Sequence, residues 1–189
     1  VRKRAEETTD IKLQHPAVLS IGRLDKNKNP LRLLEIFEKV HKSNANAHLY
    51  YLGYGALDKE VRENALKMNL SEHVHLLGYY ENPFPIMAQC DVCGMFSKSE
   101  GFPMALLESV ALDKPFVSSI IGGSRILAND QRCGKTVETN EQAANEILAM
   151  IAGSKEKAKQ ECQESIKRFE LKEYIRQIEA LFDEVLEKE

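Results

Sequence analysis

The sequence predicts an α/β protein, a Rossmann-like doubly wound parallel sheet with helices on both faces. Three observations carry this. Short apolar runs alternate with longer stretches whose apolar residues recur at helical spacing. The runs are mostly continuous, as strands buried on both faces require. Several stop on glycine, where the backbone can turn sharply. With 189 residues, 43% of them hydrophobic, the chain can bury one sizeable core, and it reads as a single unit over 1–189.

The elements follow in order. Residues 1–15 are polar and unpatterned and are expected to form a loosely ordered leading segment. Ala17-Val18-Leu19-Ser20-Ile21 is the first strand, ended by Gly22. Asn29-Pro30 starts a helix, with asparagine at the N-cap and proline at the first helical position. Leu33, Leu34, Phe37 and Val40 form its apolar stripe. His48 to Leu52 is the second strand, stopped by Gly53 and Gly55. Leu57, Val61, Ala65 and Met68 mark the next helix, and Val74 to Leu77 a third strand stopped by Gly78. A segment marked by Pro83 and Pro85 leads to a strand around Val92. Pro103 lies in the first turn of a helix with Leu106, Leu107 and Val110 on its apolar side. Pro115 to Ser118 is a strand, followed by a short helix from about Ser124 and a last strand near Thr136-Val137. Two or three helices end the chain, and the last, over about 171–189, carries Tyr174, Ile178, Leu181 and Val185 on one stripe.

Composition excludes several functions. The net charge is -3 and the charges are intermixed, so no broad face suits nucleic acid. No apolar run approaches the ~20 residues that span a bilayer, and the start does not read as a signal peptide. Four cysteines are too sparse for a disulfide scaffold, so Cys90, Cys93, Cys133 and Cys162 are expected as buried thiols in a reducing cytoplasm. Cys90 and Cys93 form a C-x-x-C, but Cys93 falls inside an apolar run rather than at a helix start. His73 and His75 would share a strand face as a zinc pair or as edge histidines, and no third ligand is evident. The phosphate-loop, dinucleotide and nucleophile-elbow motifs are all missing.

Doubly wound sheets bind ligands beyond the carboxyl ends of their strands, and three loops there stand out. In the first, Gly22 frees a turn and Arg23 and Lys28 flank it. Together the two cations suit a diphosphate, though this loop taken alone reads rather as a pair of ordinary surface cations. In the second, Ser97 to Pro103 runs into a helix N-terminus, where free amides attract phosphate. Gly101 admits close approach there. Glu100 precedes the helix, and Glu108 follows eight residues later between the apolar Leu107 and Ala111. A carboxylate so placed needs hydrogen-bond partners, and ribose hydroxyls would serve. The third loop, Ile121-Gly122-Gly123-Ser124, reads as a backbone-lined concavity.

Taken in series, these pieces resemble glycosyltransferase family 4, the group 1 glycosyltransferases of GT-B fold. The resemblance runs from about Ala17 to Val137. It rests on Ser20-Ile21-Gly22-Arg23-Leu24 with Lys28, on Leu52-Gly53-Tyr54-Gly55, and on Val74 to Tyr79. It rests most on Glu100-Gly101-Phe102-Pro103 with Leu107-Glu108-Ser109, which match an E-x7-E signature. The resemblance implies a C-terminal donor-binding half, with the N-terminal acceptor domain absent from these residues. It also implies roles. Arg23 and Lys28 would neutralise the donor diphosphate, Glu108 would hold ribose, and Glu100 would contact the sugar, with Arg23, Lys28 and Glu100 counted as catalytic. Gly22, Gly78, Tyr79, Gly101, Phe102, Pro103, Met104 and Leu107 would complete the donor site.

The implied reaction retains anomeric configuration and needs neither metal nor other cofactor. UDP-sugars are favoured over GDP-sugars as donors. The acceptor is a glycan or lipid-linked glycan, which would bring the full-length protein to the inner face of the membrane. Three residues depart from the family pattern: Phe96, where proline is frequent, Asp113, where glycine is frequent, and Arg125, where an acid is common. Two other readings stay open, a GT-B nucleotide-sugar epimerase and a non-catalytic binding module.

Overall fold

The computed structural model describes residues 1–128, 132–170, 172, 173, 175 and 176. Six strands form one parallel sheet: β1 (Ala17–Ile21), β2 (His48–Leu52), β3 (Val74–Gly78), β4 (Val92–Met95), β5 (Phe116–Ser119) and β6 (Gly134–Val137). Their order is β3-β2-β1-β4-β5-β6. The winding reverses between β1 and β4, so a crevice opens above the carboxyl ends of that pair. The helices are α1 (Arg2–Ala5), α2 (Pro30–Ser43), α3 (Asp58–Lys67), α4 (Phe84–Met87), α5 (Met104–Ala111), α6 (Gly122–Leu127), α7 (Asn140–Ala152) and α8 (Lys155–Ile166). A 3-10 turn, Lys167–Phe169, follows.

Successive strand residues point to opposite faces, which divides the core in two. On one face Leu33, Leu34 and Phe37 of α2 and Ala143 and Ile147 of α7 cover Val18, Leu49, Val92 and Val117. On the other, Ile86 and Met87 of α4, Leu106 and Val110 of α5 and Cys162 of α8 cover Leu19, Tyr50, Cys93 and Phe116. Full burial of each large apolar side chain contributes about 1.5–3 kcal/mol. Among the described residues no helix is long and apolar enough to cross a membrane.

Three expectations change, and a fourth falls outside the described residues. The leading residues are pinned to the body. Arg2 donates from Nε to the Ala111 carbonyl at 2.8 Å and pairs with Asp113 at 2.7 Å, and Gln14 N–H donates to Tyr50 Oη at 2.8 Å. Leu13 is buried beneath them, an apolar anchor in an otherwise polar stretch. Asn29 precedes α2 with φ 53° and no side-chain cap, so it serves the helix start through its backbone. Cys133 and Cys162, expected as thiols, are joined in a disulfide, because α8 packs back against the start of β6 and brings their Cα atoms to 4.9 Å. Cys90 and Cys93 remain free and buried. Their mutual hydrogen bond, together with burial, pushes the Cys90 thiol well above its ordinary pKa. Finally, the stripe of Tyr174, Ile178, Leu181 and Val185 lies outside the described residues.

Candidate functional site

The floor of the crevice is made of glycine. Strands β1, β2 and β3 end on Gly22, Gly53 and Gly78, whose φ angles are 138°, 142° and 81°. Gly22 N–H donates to the Leu52 carbonyl at 3.0 Å, and Gly53 N–H to the Gly78 carbonyl at 2.7 Å. A β-carbon on Gly53 would stand 2.0 Å from the Gly22 carbonyl oxygen, so no other residue fits there. Above this floor lies a largely apolar cleft of about 610 Å³. Its wall is Ile21, Gly22, Arg23, Asp25, Leu52, Gly53, Tyr54, Gly55, Ala56, Tyr79, Tyr80 and Pro83. Tyr54 and Tyr79 stand edge to face at 6.4 Å between ring centres, both mostly exposed. Such rings offer a surface on which a flat ring can pack.

The loop after β1 is shaped by Asp25. Its carboxylate accepts the N–H groups of Asn27 at 3.0 Å and Lys28 at 2.9 Å. The Lys28 amide does most to hold the Asp25 carboxyl below its usual pKa, with the Arg23 charge adding to it. Arg23 lies 3.3 Å from Asp25 with 79% of its side chain exposed. Lys28 turns the other way and meets Glu100 at 2.7 Å, with 25% and 15% of the two side chains exposed. Lys98 N–H donates to the Asn27 carbonyl at 2.7 Å, and the Asn27 amide donates to the Ser99 carbonyl at 3.0 Å. The loops after β1 and β4 are thereby laced together across the switch point.

No side chain among the described residues caps α5, and Pro103 at its start has no N–H; Met104 N–H donates to the Phe102 carbonyl at 3.0 Å, and the positive end of the helix faces the Glu100–Phe102 loop. A side chain at Gly101 would meet nothing within 4 Å, which leaves room for a ligand. Phe102 packs edge-on to Phe169 at 6.0 Å, and Met104 is exposed. Glu108 is half-buried on α5, and burial raises its pKa above the usual carboxylate value, with Arg4 opposing. Its carboxylate has no side-chain partner among the described residues. The third loop supports the second. Gly123 N–H donates to the Gly101 carbonyl at 3.2 Å. A β-carbon on Gly122 would stand 2.7 Å from the Glu100 carbonyl.

Of the residues singled out in sequence, Gly22, Arg23 and Tyr79 line the cleft and Gly78 floors it. Lys28 and Glu100 are joined. Gly101, Phe102, Pro103, Met104, Leu107 and Glu108 lie on the β4 side, beyond the cleft lining. Sequence reasoning missed Asp25, Tyr54, Tyr80 and Pro83. Asp25-Lys26-Asn27 did carry an Asx-turn signal.

At the opposite ends of the strands, His73 and His75 join His41 and His48 in a cluster. His48 Nδ1 is 3.1 Å from His75 Nε2. Among the described residues no group of three His, Cys, Asp or Glu side chains is arranged to hold a metal ion.

The family model for "Glycosyl transferases group 1" matches residues 1–177. A Campylobacter jejuni protein is 35% identical over 134 residues, covering 70% of this chain and 36% of its own length. That relative is named N-acetylgalactosamine-N,N'-diacetylbacillosaminyl-diphospho-undecaprenol 4-alpha-N-acetylgalactosaminyltransferase. An Escherichia coli protein, named UDP-Gal:alpha-D-GlcNAc-diphosphoundecaprenol alpha-1,3-galactosyltransferase, is 30% identical over 124 residues, covering 64% of this chain and 32% of its own. The chain thus spans about a third of the length of these relatives. Among solved structures, Anabaena HepE in complex with UDP superposes with a TM-score of 0.76 at 20% identity, covering 90% of this chain and 49% of that one. S. aureus TarM superposes with a TM-score of 0.79 at 19% identity, covering 97% of this chain and 36% of that one. On sequence and on fold, the chain belongs to the group 1 glycosyltransferases.

Proposed function

We propose that this chain is the donor-binding half of a retaining glycosyltransferase. It takes a nucleoside-diphosphate sugar, UDP-sugar before GDP-sugar, without a metal. The observation that carries the reading is the ion pair of Lys28 with Glu100 beside the start of α5. It places a cation, a carboxylate and a positive helix end together at the switch point, where a sugar diphosphate needs all three. The base packs in the tyrosine-lined cleft. The ribose hydroxyls donate to Glu108, which has no hydrogen-bond partner among the described residues. The diphosphate draws Lys28 and Arg23, and Glu100, released from part of its pairing, accepts from the sugar hydroxyls.

Transfer breaks the bond from the anomeric carbon to the diphosphate oxygen and forms one to an acceptor hydroxyl on the same face. The acceptor proton passes to the leaving phosphate, and Arg23, Lys28 and the α5 terminus stabilise its charge. The acceptor is a glycan or lipid-linked glycan. Lipid-linked saccharides appear in the names of the C. jejuni and E. coli relatives, which supports this and a site of action beside the membrane. Residues outside this chain complete the transfer, so the chain alone binds donor with little turnover.

Thermal denaturation with UDP, GDP and ADP, with and without EDTA, tests the proposal. A rise in Tm with UDP that EDTA leaves unchanged is expected. A rise that requires a divalent ion overturns the metal-free reading.

A further inference from the structure

Beyond the carboxyl ends of β4, β5 and β6 lies a second cavity, about 500 Å³, that the donor site does not use. Its wall carries Arg32, Lys98 and Arg125 against a single acid, the exposed Glu138. Arg32 is fixed in place. Its Nε donates to Asn140 Oδ1 at 2.9 Å, an Nη donates to the Glu138 carbonyl at 2.7 Å, and the guanidinium lies 5.4 Å over the Phe96 ring. Lys98 and Arg125 have no carboxylate partner among the described residues. Ser97 adds a hydroxyl to the same wall. The residue is 2% exposed, and its Oγ has no hydrogen-bond partner among the described residues.

Both features favour an anion in this cavity. Three cations facing one exposed acid give that wall a net positive potential. A buried hydroxyl without a partner carries an uncompensated desolvation cost. One phosphate group relieves both, since its oxygens accept from guanidinium, ammonium and hydroxyl together. The cavity is lined in part by the loop after β4, which also carries Glu100. Lys98 stands two residues before Glu100 in the loop whose backbone is tied to Asn27.

We propose that this cavity is a second anion subsite, separate from the donor diphosphate, that takes a phosphate or diphosphate group of the acceptor. Its assignment to the acceptor rests on the donor reading above, whereas its affinity for phosphate does not. The side chains that carry it also explain the Arg125 departure. A cation at that position faces the cavity and favours an anion where an acid would repel one.

Inorganic pyrophosphate is the probe, titrated calorimetrically into the chain alone and into the chain saturated with UDP. Binding that persists under saturating UDP is expected, since the two anions then occupy different sites. The double variant Lys98→Ala/Arg125→Ala should weaken that binding about tenfold or more and leave the UDP response intact. Lys28→Ala should do the reverse. Pyrophosphate binding abolished by UDP would assign the anion to the donor site and overturn the proposal. Unchanged binding in the double variant would overturn it as well. A chain that binds pyrophosphate through Lys98 and Arg125 but ignores UDP would keep the subsite and remove the donor reading instead.

Discussion

Lys28 and Arg23 are both loop cations, yet their surroundings differ. Arg23 is 79% exposed beside Asp25, where solvent screens its charge, whereas Lys28 is 25% exposed against Glu100. Lys28→Ala should therefore cost more nucleotide affinity than Arg23→Ala, by about tenfold, measured by UDP titration. It should also leave Glu100 partly buried without its cation, lowering stability by about 1–2 kcal/mol in urea denaturation. Equal losses from the two variants would refute the division of labour. The E-x7-E spacing of Glu100 and Glu108 was legible in sequence because a loop and one helix set it. The Lys28–Glu100 pair was not, because 72 residues separate its members and only the sheet topology joins them.

Glycine at the ends of β1, β2 and β3 was legible as punctuation, but its packing was not. Gly53 combines φ 142° with the Gly22 carbonyl 2.0 Å from any β-carbon. Gly53→Ala should lower stability by about 2 kcal/mol or more and weaken nucleotide binding with it, because the floor of the crevice must shift. A folded variant with parental stability and affinity would show that the floor does not shape the site.

The β2–β3 edge makes a second statement at this scale. Burial, and then the neighbouring histidines, lower the pKa values of His48 and His75 from the ordinary 6.5, with Glu72 partly opposing at His75. A depressed histidine pKa means the unfolded chain binds protons first. Stability is thus full above about pH 6.5 and falls as the pH drops through the folded values. Urea midpoints at pH 7.5 and 5.5 should differ in that direction, and His48→Leu should narrow the gap. A higher midpoint at pH 5.5 would contradict the cluster's neutral state. The sequence showed only His73 and His75 as neighbours, since His41 and His48 arrive through α2 and β2.

At the scale of the molecule, the alternation of strands and helices is enough to give the doubly wound class. Strand order, the Cys133–Cys162 disulfide and the docking of the leading segment needed long-range packing that periodicity does not encode. On the proposed function, a nucleoside diphosphate would lie across the β1–β4 switch point, held by Lys28, Glu108 and the α5 terminus without a metal. Isothermal titration of UDP into the chain in EDTA, compared with the Glu108→Ala variant, tests this most directly. Saturable one-to-one binding in EDTA, weakened about tenfold by Glu108→Ala, is the expected result. UDP binding that is absent in EDTA, or indifferent to Glu108, would contradict the account.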